Sequence, residues 1–295
     1  MRREDIKMIL KNDFKKDESA VVGIVTAILI VGLIVTVFAI IQTVYVPQWM
    51  EEVEMEHMNE VAGQFAELKY ATDLQLFSQS NSNQSITTPI TLGSDKIPFF
   101  LSERSYGSLE IVDGVCAVTI DGDSDVSFDV NGIEYRSRNN HYVDQTFRYE
   151  TGAVIISQAQ GSFLSTMPFF SISASETQIN MTLTVVNITG IGGKTTANGY
   201  SLVSIATKFL ATNNTVETVE NVTEIIIETE YPTAWKSYFN QTLQTEGLAY
   251  DDDYSLSYSV ENEWIKIEFY PEEANNQIVV SSKQLSAQIS PGWIQ

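Results

Sequence analysis

The longest run of apolar residues lies close to the N-terminus of the chain. It extends from Ala20 to Val46, and no charged residue occurs between Glu18 and Glu51. As an α-helix rising about 1.5 Å per residue, this run would be roughly 40 Å long, which exceeds the roughly 30 Å of hydrocarbon in a bilayer. The pattern predicts a transmembrane helix over residues 20–46, with a buried helix of a soluble protein as the alternative.

The pattern of apolar positions changes directly after this run. Pro47 is expected to kink the helix, because proline lacks an amide proton. From Glu51 to about Ser78, apolar residues recur at helical spacing with polar residues between them. These apolar positions are Val53, Val61, Phe65, Leu68 and Leu74. The spacing predicts an amphipathic helix over residues 47–80, which either forms a stalk or lies on the domain that follows.

Beyond residue 80 the pattern becomes that of β-structure. Short runs rich in Val, Ile, Thr, Phe and Tyr often alternate apolar with polar positions, and Gly, Asp or Asn interrupts them. Such runs favour a sandwich-like β domain over residues 81–295. One insertion, Pro232 to Leu248, has helical spacing with proline at its start. The predicted fold class is therefore α+β: a long N-terminal transmembrane helix, then a mainly antiparallel β-sandwich-like outer domain with one short helix insertion.

Charge is distributed unevenly about the apolar run. Residues 1–19 hold six of the 17 basic and five of the 38 acidic residues, which leaves 11 basic and 33 acidic residues for the remainder. Because Lys and Arg near a membrane span favour the cytoplasmic side, we expect a cytoplasmic N-terminus and an extracellular C-terminal domain. The acidic balance of the outer part disfavours nucleic acid and anionic lipid as partners.

The residues in front of the apolar run form a second pattern. A charged stretch, Lys15 to Glu18, is followed by the small residues Ser19 and Ala20 and then at once by the apolar run. The segment KKDESAVVGIVTAILIVGL, residues 15–33, resembles the class III signal peptide of archaeal type IV pilins and archaellins. The resemblance implies that residues 1–19 are a cytoplasmic leader, which a leader peptidase removes by cutting between Ser19 and Ala20. An uncut signal-anchor helix is the alternative.

Two segments of the outer part also resemble a known pattern. Residues 133–161 and the sequence VVNITG, residues 185–190, are similar to a signature of archaeal membrane proteins with pilin-like N-termini. That resemblance implies the architecture and a surface location. It implies no reaction and no functional residues.

Six N-x-S/T sequons occur, and all of them lie on the predicted outer side. Exposed asparagines in this motif accept glycans in extracellular proteins. We expect several to be modified, with coincidence in an Asn- and Thr-rich β domain as the alternative. The candidates are Asn83, Asn180, Asn187, Asn213, Asn221 and Asn240.

Sequence patterns for metal binding are incomplete. Asp121, Asp123 and Asp125 resemble the start of a calcium loop, but Val126 and Gly132 stand where an EF-hand needs Gly and Glu. An acidic turn is therefore expected there. We predict no metal site and no cofactor.

Sequence patterns for catalysis and phosphate binding are equally incomplete. The two histidines, His57 and His141, form no zinc motif, and the chain has no G-x-S-x-G motif. The segment Gly192 to Thr195 lacks the first glycine of a phosphate-binding loop. The single cysteine, Cys116, excludes an intramolecular disulfide and is expected to be a small buried residue. We predict no enzymatic activity.

These patterns together predict a non-enzymatic, pilin-like cell-surface protein. It would be anchored in the membrane or be a minor or associated component of an archaeal type IV pilus-like assembly. The expected partners are membrane lipid, the like helices of other pilin-like subunits and the leader peptidase, with no nucleic acid. The alternative is a permanently anchored single-pass adhesin or envelope ligand-binding module. A third reading, an anchored glycan hydrolase, requires two facing carboxylates in a cleft.

Overall fold

The chain divides into two units, Met1–Glu52 and Val53–Gln295, in this computed structural model. Side chains are described from Val21 onward. The described residues are 3–78, 84–94, 104–175, 178–270 and 276–290.

The described part of the first unit is helical. Helix α1 (Arg3–Ile40) is followed by a π-helical segment (Ile41–Tyr45) and then by the start of helix α2 (Val46–Ser78). Every side chain from Val21 to Tyr45 is exposed. Within the described part of the chain, one helical stretch is long and apolar enough to cross a membrane, and its best 18-residue window has a mean hydropathy of 3.1.

The π-helical segment explains how the helix passes Pro47. A proline at this position has no amide proton for the carbonyl group four residues earlier, and its ring would collide with that group. Here the Val46 amide donates to the Ile41 carbonyl, five residues back. This wider turn changes the hydrogen-bond pattern just before the proline. The effect of Pro47 is thus a π-helical segment inside a helical stretch, and α2 continues through the proline.

Strands make up most of the second unit. In chain order its elements beyond α2 are β1 (Ser85–Thr91), β2 (Tyr106–Asp121), β3 (Val126–Arg138), β4 (Thr146–Glu150), β5 (Ala153–Gln158), β6 (Gly161–Thr166), β7 (Phe170–Ser175), β8 (Gln178–Gly190), β9 (Thr196–Gly199), β10 (Leu202–Glu220), β11 (Glu224–Thr229), α3 (Pro232–Thr245), β12 (Tyr254–Ser259), β13 (Trp264–Phe269) and β14 (Gln277–Ser290).

These strands form two sheets. One sheet has five strands in the order β1-β10-β14-β8-β7, and the other has nine, in the order β12-β13-β11-β2-β3-β4-β5-β6 with β9 paired to β2. Among the described pairs, β14 and β8 run parallel and the rest are antiparallel. The expected α+β class, with a long apolar helix and a mainly antiparallel β domain, is confirmed.

The core lies between the two sheets. Strand β8 shows why: Met181, Leu183 and Val185 are buried, while the residues between them point outward. This period of two gives the strand one apolar face. Its apolar side chains join a cluster with Val118 and Ile120 of β2 in the other sheet.

Helix α2 belongs to the β domain from Val53 onward. Val61, Phe65 and Leu68 are fully buried in a cluster with strand residues of both sheets, and the Phe65 ring lies 5.6 Å from that of Phe147. The sequence left open whether this helix stands free, and the structure places it on the domain. Leu74, which the helical spacing groups with these residues, does not share their burial, because its side chain is 46% exposed.

Helix α3 confirms the expected helix insertion. It starts at Pro232, and it buries Trp235, Tyr238, Phe239 and Leu243. The helix contacts both β6 and β12, which are the two terminal strands of the nine-stranded order. It therefore covers part of both edges of that sheet, where unpaired strands would otherwise be open.

Candidate functional site

Glu54 anchors a loop on the first turns of α2 within the second unit. Its fully buried carboxylate accepts hydrogen bonds from the backbone amides of Asn140 (3.0 Å), His141 (2.7 Å) and Tyr142 (2.7 Å). The loop connects β3 with β4 and belongs to the segment 133–161. His141 is therefore a loop residue whose backbone amide donates to a buried carboxylate.

Further polar side chains of α2 bind the strands directly. The Gln75 side-chain amide donates to the Thr207 carbonyl at 2.7 Å, and the Thr72 hydroxyl lies 3.1 Å from the Tyr149 hydroxyl. These bonds satisfy polar groups that burial would otherwise leave without partners. They fix the rotation of α2 on the β domain.

A buried charge cluster surrounds Arg148 on β4. The Arg148 guanidinium donates from Nε to Glu134 Oε2 at 2.7 Å and from a terminal nitrogen to Glu230 Oε2 at 2.7 Å. It lies 4.8 Å from the centre of the Tyr231 ring. Glu134 and Arg148 are both buried. Since an unpaired buried charge is strongly destabilising, Glu134 and Arg148 depend on each other, while the exposed Glu230 adds a second carboxylate to the guanidinium.

Glu150 is the neutral-pH titrating group of this region. Its Oε1 accepts hydrogen bonds from Trp235 Nε1 at 2.7 Å and from the Thr229 hydroxyl at 2.8 Å, whereas Oε2 has no hydrogen-bond partner. Complete burial raises the pKa of Glu150 to about 7, although both hydrogen bonds and the charge of Arg148 act in the opposite direction. The carboxyl group is therefore partly protonated near pH 7.

A cavity of about 440 Å³ lies beside the charge cluster. Buried Arg148 and Cys116 line it together with a polar rim that is mostly acidic. The rim residues are Asp113, Asp129, Glu228, Glu230, Asn262 and Glu263. Such a lining favours a cationic ligand by charge.

The chemistry of this cavity is limited by the placement of its acids. Hydrolysis of a glycan needs a protonated carboxyl group and a carboxylate on either side of one bond. Glu150, whose pKa is raised, is not among the lining residues. Across the described residues, no three His, Cys, Asp or Glu side chains are arranged to hold a metal ion.

A second cavity of about 440 Å³ lies on the outer face of the five-stranded sheet. It combines aromatic rings, hydroxyl groups and one lysine. Its lining is Leu76, Phe77, Pro168, Phe169, Phe170, Ser171, Thr182, Thr184, Ser281 and Lys283. We call this cavity the β8 groove.

The structure separates the sequons into two groups. Asn180, Asn213 and Asn221 are exposed. Asn187 is half-buried and its Oδ1 accepts from the Asn131 amide at 2.9 Å, while the half-buried Asn240 accepts from the Tyr254 hydroxyl at 3.1 Å. The sixth candidate, Asn83, lies outside the described residues.

The structure also shows where three other predicted features lie. Ser19 and Ala20 lie within α1. In the acidic segment, Asp121 ends β2 and is half-buried, whereas Asp123 and Asp125 are exposed in the connection to β3. Cys116 is buried and unpaired, as expected.

Sequence reasoning missed the cluster around Arg148 and Glu150. Both residues face away from Phe147 and Tyr149 on β4, yet all four side chains are buried. A polar residue alternating with an apolar one normally marks a solvent-exposed face. The charges of Glu134, Arg148 and Glu150 stand among further charged residues of the same segment, such as Arg136 and Arg138, so no local signal marks them as buried.

Residues 19–264 match a family of unknown function, DUF7289. The match covers more than four-fifths of the chain, and the chain belongs to this family. It begins at Ser19, directly in front of the predicted cut. No curated protein and no solved structure matches the chain.

Proposed function

We propose that this chain is a non-enzymatic, pilin-like surface protein with one membrane-spanning helix. Its N-terminus lies in the cytoplasm and its β domain lies outside the cell. The observation that carries the proposal is the stretch from Val21 to Tyr45, in which every side chain is exposed and none is charged. So much exposed apolar surface requires lipid or other apolar helices around it.

Hydrogen bonding within this helix supports a lipid environment. The hydroxyl groups of Thr26, Thr36 and Thr43 each donate to the carbonyl group four residues earlier, at 2.8 Å. In hydrocarbon no water is present to satisfy a free hydroxyl group. The three threonines of the apolar run thus have hydrogen-bond partners within the helix itself.

The charged leader supports the pilin-like reading. Charge is costly in hydrocarbon, so a helix that keeps residues 1–19 resists leaving the bilayer. A cut between Ser19 and Ala20 removes that charge. The remaining helix then packs either with lipid or with like helices of other pilin-like subunits.

N-terminal sequencing of the mature protein from host membranes tests this proposal. We expect Ala20 as the first residue. Ser19→Trp, which places a bulky side chain at the cut, should retain the leader, whereas the control Thr26→Trp should not. A wild-type start at Met1 would overturn the processing and leave a permanently anchored protein.

The acidic cavity beside Arg148 favours a second candidate, a permanently anchored ligand-binding module. Its lining carboxylates would recognise a cationic ligand. The two functions differ in polymer formation. Mass spectrometry of sheared surface filaments should detect this chain if it assembles with like subunits, and should miss it if it is only an anchored receptor.

A further inference from the structure

The outer face of the five-stranded sheet is uncharged along β7 and β8. Neither strand contains a charged residue, although charged residues make up 19% of the chain. The outward side chains of β8 at its start are Asn180, Thr182 and Thr184, and β7 presents Ser171 and Ser173 beside them. This face offers amide and hydroxyl groups, which an uncharged ligand can bind through hydrogen bonds.

The β8 groove adds aromatic surface to this polar face. The Phe77 side chain is 70% exposed and its ring meets that of Phe169 edge to face, with centroids 5.0 Å apart. Phe169 is half-buried and its ring is contacted by the Lys69 ammonium, 3.9 Å from the ring centre, so Phe77 supplies the open aromatic surface. On the floor, the Ser171 and Thr182 hydroxyls lie 2.6 Å apart. A concave site with apolar walls and a few placed polar groups is typical of ligand pockets.

A saccharide matches both parts of this lining. One face of a sugar ring presents C–H groups, which gain from leaving water and packing on the negative face of an aromatic ring. Its hydroxyl groups bond to Ser and Thr hydroxyls, which both donate and accept. The Lys283 ammonium, also in the lining, can donate to the same hydroxyl groups. The groove therefore fits a ring-shaped, polyhydroxylated ligand.

The chain places an attachment point for such a ligand at the edge of the groove. Asn180-Met181-Thr182 is a sequon, and its Thr182 is also part of the groove floor. Asn180 points to the same face of β8 as Thr182 and Thr184, one two-residue step before Thr182. That step is about 6.8 Å along a strand, so a first sugar on Asn180 is within reach of the groove lining at Thr182.

We propose that Asn180 carries an N-linked glycan whose first sugars occupy the β8 groove against the exposed ring of Phe77. This inference rests on the outward orientation of the β domain proposed above, because glycosylation of such sites takes place outside the cytoplasm. The glycan then covers apolar surface that is exposed in the bare protein.

The attachment is a substitution without oxidation or reduction. The donor is a lipid-linked saccharide phosphate, and a separate membrane-bound glycosyltransferase brings it to the sequon. The bond between Asn180 Nδ2 and the anomeric carbon forms while the bond from that carbon to the phosphate oxygen breaks. The lipid phosphate leaves, and the amide proton goes to a base of the transferase.

The other exposed sequons differ from Asn180 in ways that provide controls. Asn221 Nδ2, the nitrogen that would be modified, donates to Asp123 Oδ2 at 2.8 Å. Asn213 is exposed and has a positive φ of 64° in the irregular stretch between Leu210 and Thr215 of β10. It lines neither of the two 440 Å³ cavities, so a glycan there has no groove to fill.

Glycopeptide mass spectrometry and thermal unfolding of the full chain from host membranes test the proposal. We expect a glycan on Asn180. Asn180→Gln should lower the melting temperature by about 2–4 °C, and Asn213→Gln should leave it unchanged. Phe77→Ser should lower it by a similar amount in the wild type, and by clearly less in the Asn180→Gln background. Protein made without glycosylation should show no effect of Asn180→Gln.

The outcomes separate this inference from the proposed function. A glycan on Asn213 together with a bare Asn180 overturns the inference and leaves the outward orientation intact. A glycan on Asn180, with additive effects of Phe77→Ser and Asn180→Gln, overturns the occupation of the groove. Unmodified sequons in a domain that external protease cannot reach in intact cells overturn the proposed orientation itself.

Discussion

Glu150 couples the stability of the second unit to pH through a single buried carboxyl group. In the unfolded chain a glutamate releases its proton near its ordinary pKa of 4.5, whereas burial raises the pKa of Glu150 in the folded chain to about 7. The unfolded state therefore binds fewer protons between these values, and stability falls as the pH rises through this window. The contribution is complete below about pH 4.5 and is lost above about pH 7. The shift corresponds to on the order of 3 kcal/mol.

Glu150→Gln should remove this pH dependence. The variant keeps an oxygen that accepts from Trp235 and Thr229 and has no proton to release. Urea unfolding of the detergent-solubilised chain between pH 5 and pH 8 should show falling stability for the wild type and a flatter profile for the variant. Glu217→Gln on exposed β10 is the control and should follow the wild type. Identical profiles for Glu150→Gln and the wild type would contradict the assignment.

Glu54 makes a different contribution, because its burial is compensated by three backbone amides. Glu54→Gln replaces a carboxylate oxygen by an NH₂ group that faces donors instead of accepting from them. We expect a loss of about 2–3 kcal/mol in the free energy of unfolding. Faster hydrogen exchange of the amides of residues 140–142 should accompany it. Glu67→Gln, on an exposed position of the same helix, should change neither quantity, and a loss of stability without faster exchange would refute the loop contact.

At the scale of elements, α2 illustrates how far the apolar pattern predicts packing. Val61, Phe65 and Leu68 share one helical stripe and are buried as expected, while Leu74 lies off that stripe and Leu76 continues it. The periodicity predicts a helix and one apolar face. It does not say what covers that face, since the partner strands are distant along the chain.

Alanine substitutions at Phe65 and Leu74 compare the stability contributed by a buried and an exposed position of α2. Phe65→Ala should lower the free energy of unfolding by about 3–4 kcal/mol, because a fully buried aromatic side chain leaves a cavity beside Phe147. Leu74→Ala should cost less than about 1 kcal/mol, since its side chain is already 46% exposed. Denaturant unfolding of both variants gives the comparison. Equal losses would mean that α2 is not seated on the domain through its Phe65 face.

The sheets show where prediction from sequence stops. Alternation in strands such as β8 was visible, so the β character and the mainly antiparallel class could be expected. The parallel pairing of β8 with β14 could not be, because about 90 residues separate them and no local signal sets their register. The same limit applies to the candidate sites. A sequon at Asn187 looks like one at Asn180 until the structure shows that the Asn187 oxygen binds Asn131.

At the scale of the whole molecule, the two units have opposite relations to water. The apolar side chains of the first unit are exposed from Val21 to Tyr45, whereas the buried apolar side chains of the second unit form two core clusters. The second unit removes much apolar surface from water when it folds, whereas the first unit leaves its apolar surface uncovered. The surroundings of this exposed apolar surface therefore contribute to the stability of the first unit.

The single cysteine makes the orientation of the β domain measurable. Cys116 lines the acidic cavity but is only 3% exposed, and burial raises the pKa of its thiol well above the ordinary value, so the native chain should resist a membrane-impermeant maleimide. Asn213→Cys places a second thiol at an exposed position of β10. If the domain faces the exterior, this variant is labelled fully in intact cells and permeabilisation adds nothing, while the wild type stays unlabelled. Labelling that appears only after permeabilisation would place the β domain in the cytoplasm. Asn180 could then not be reached by an external glycan donor.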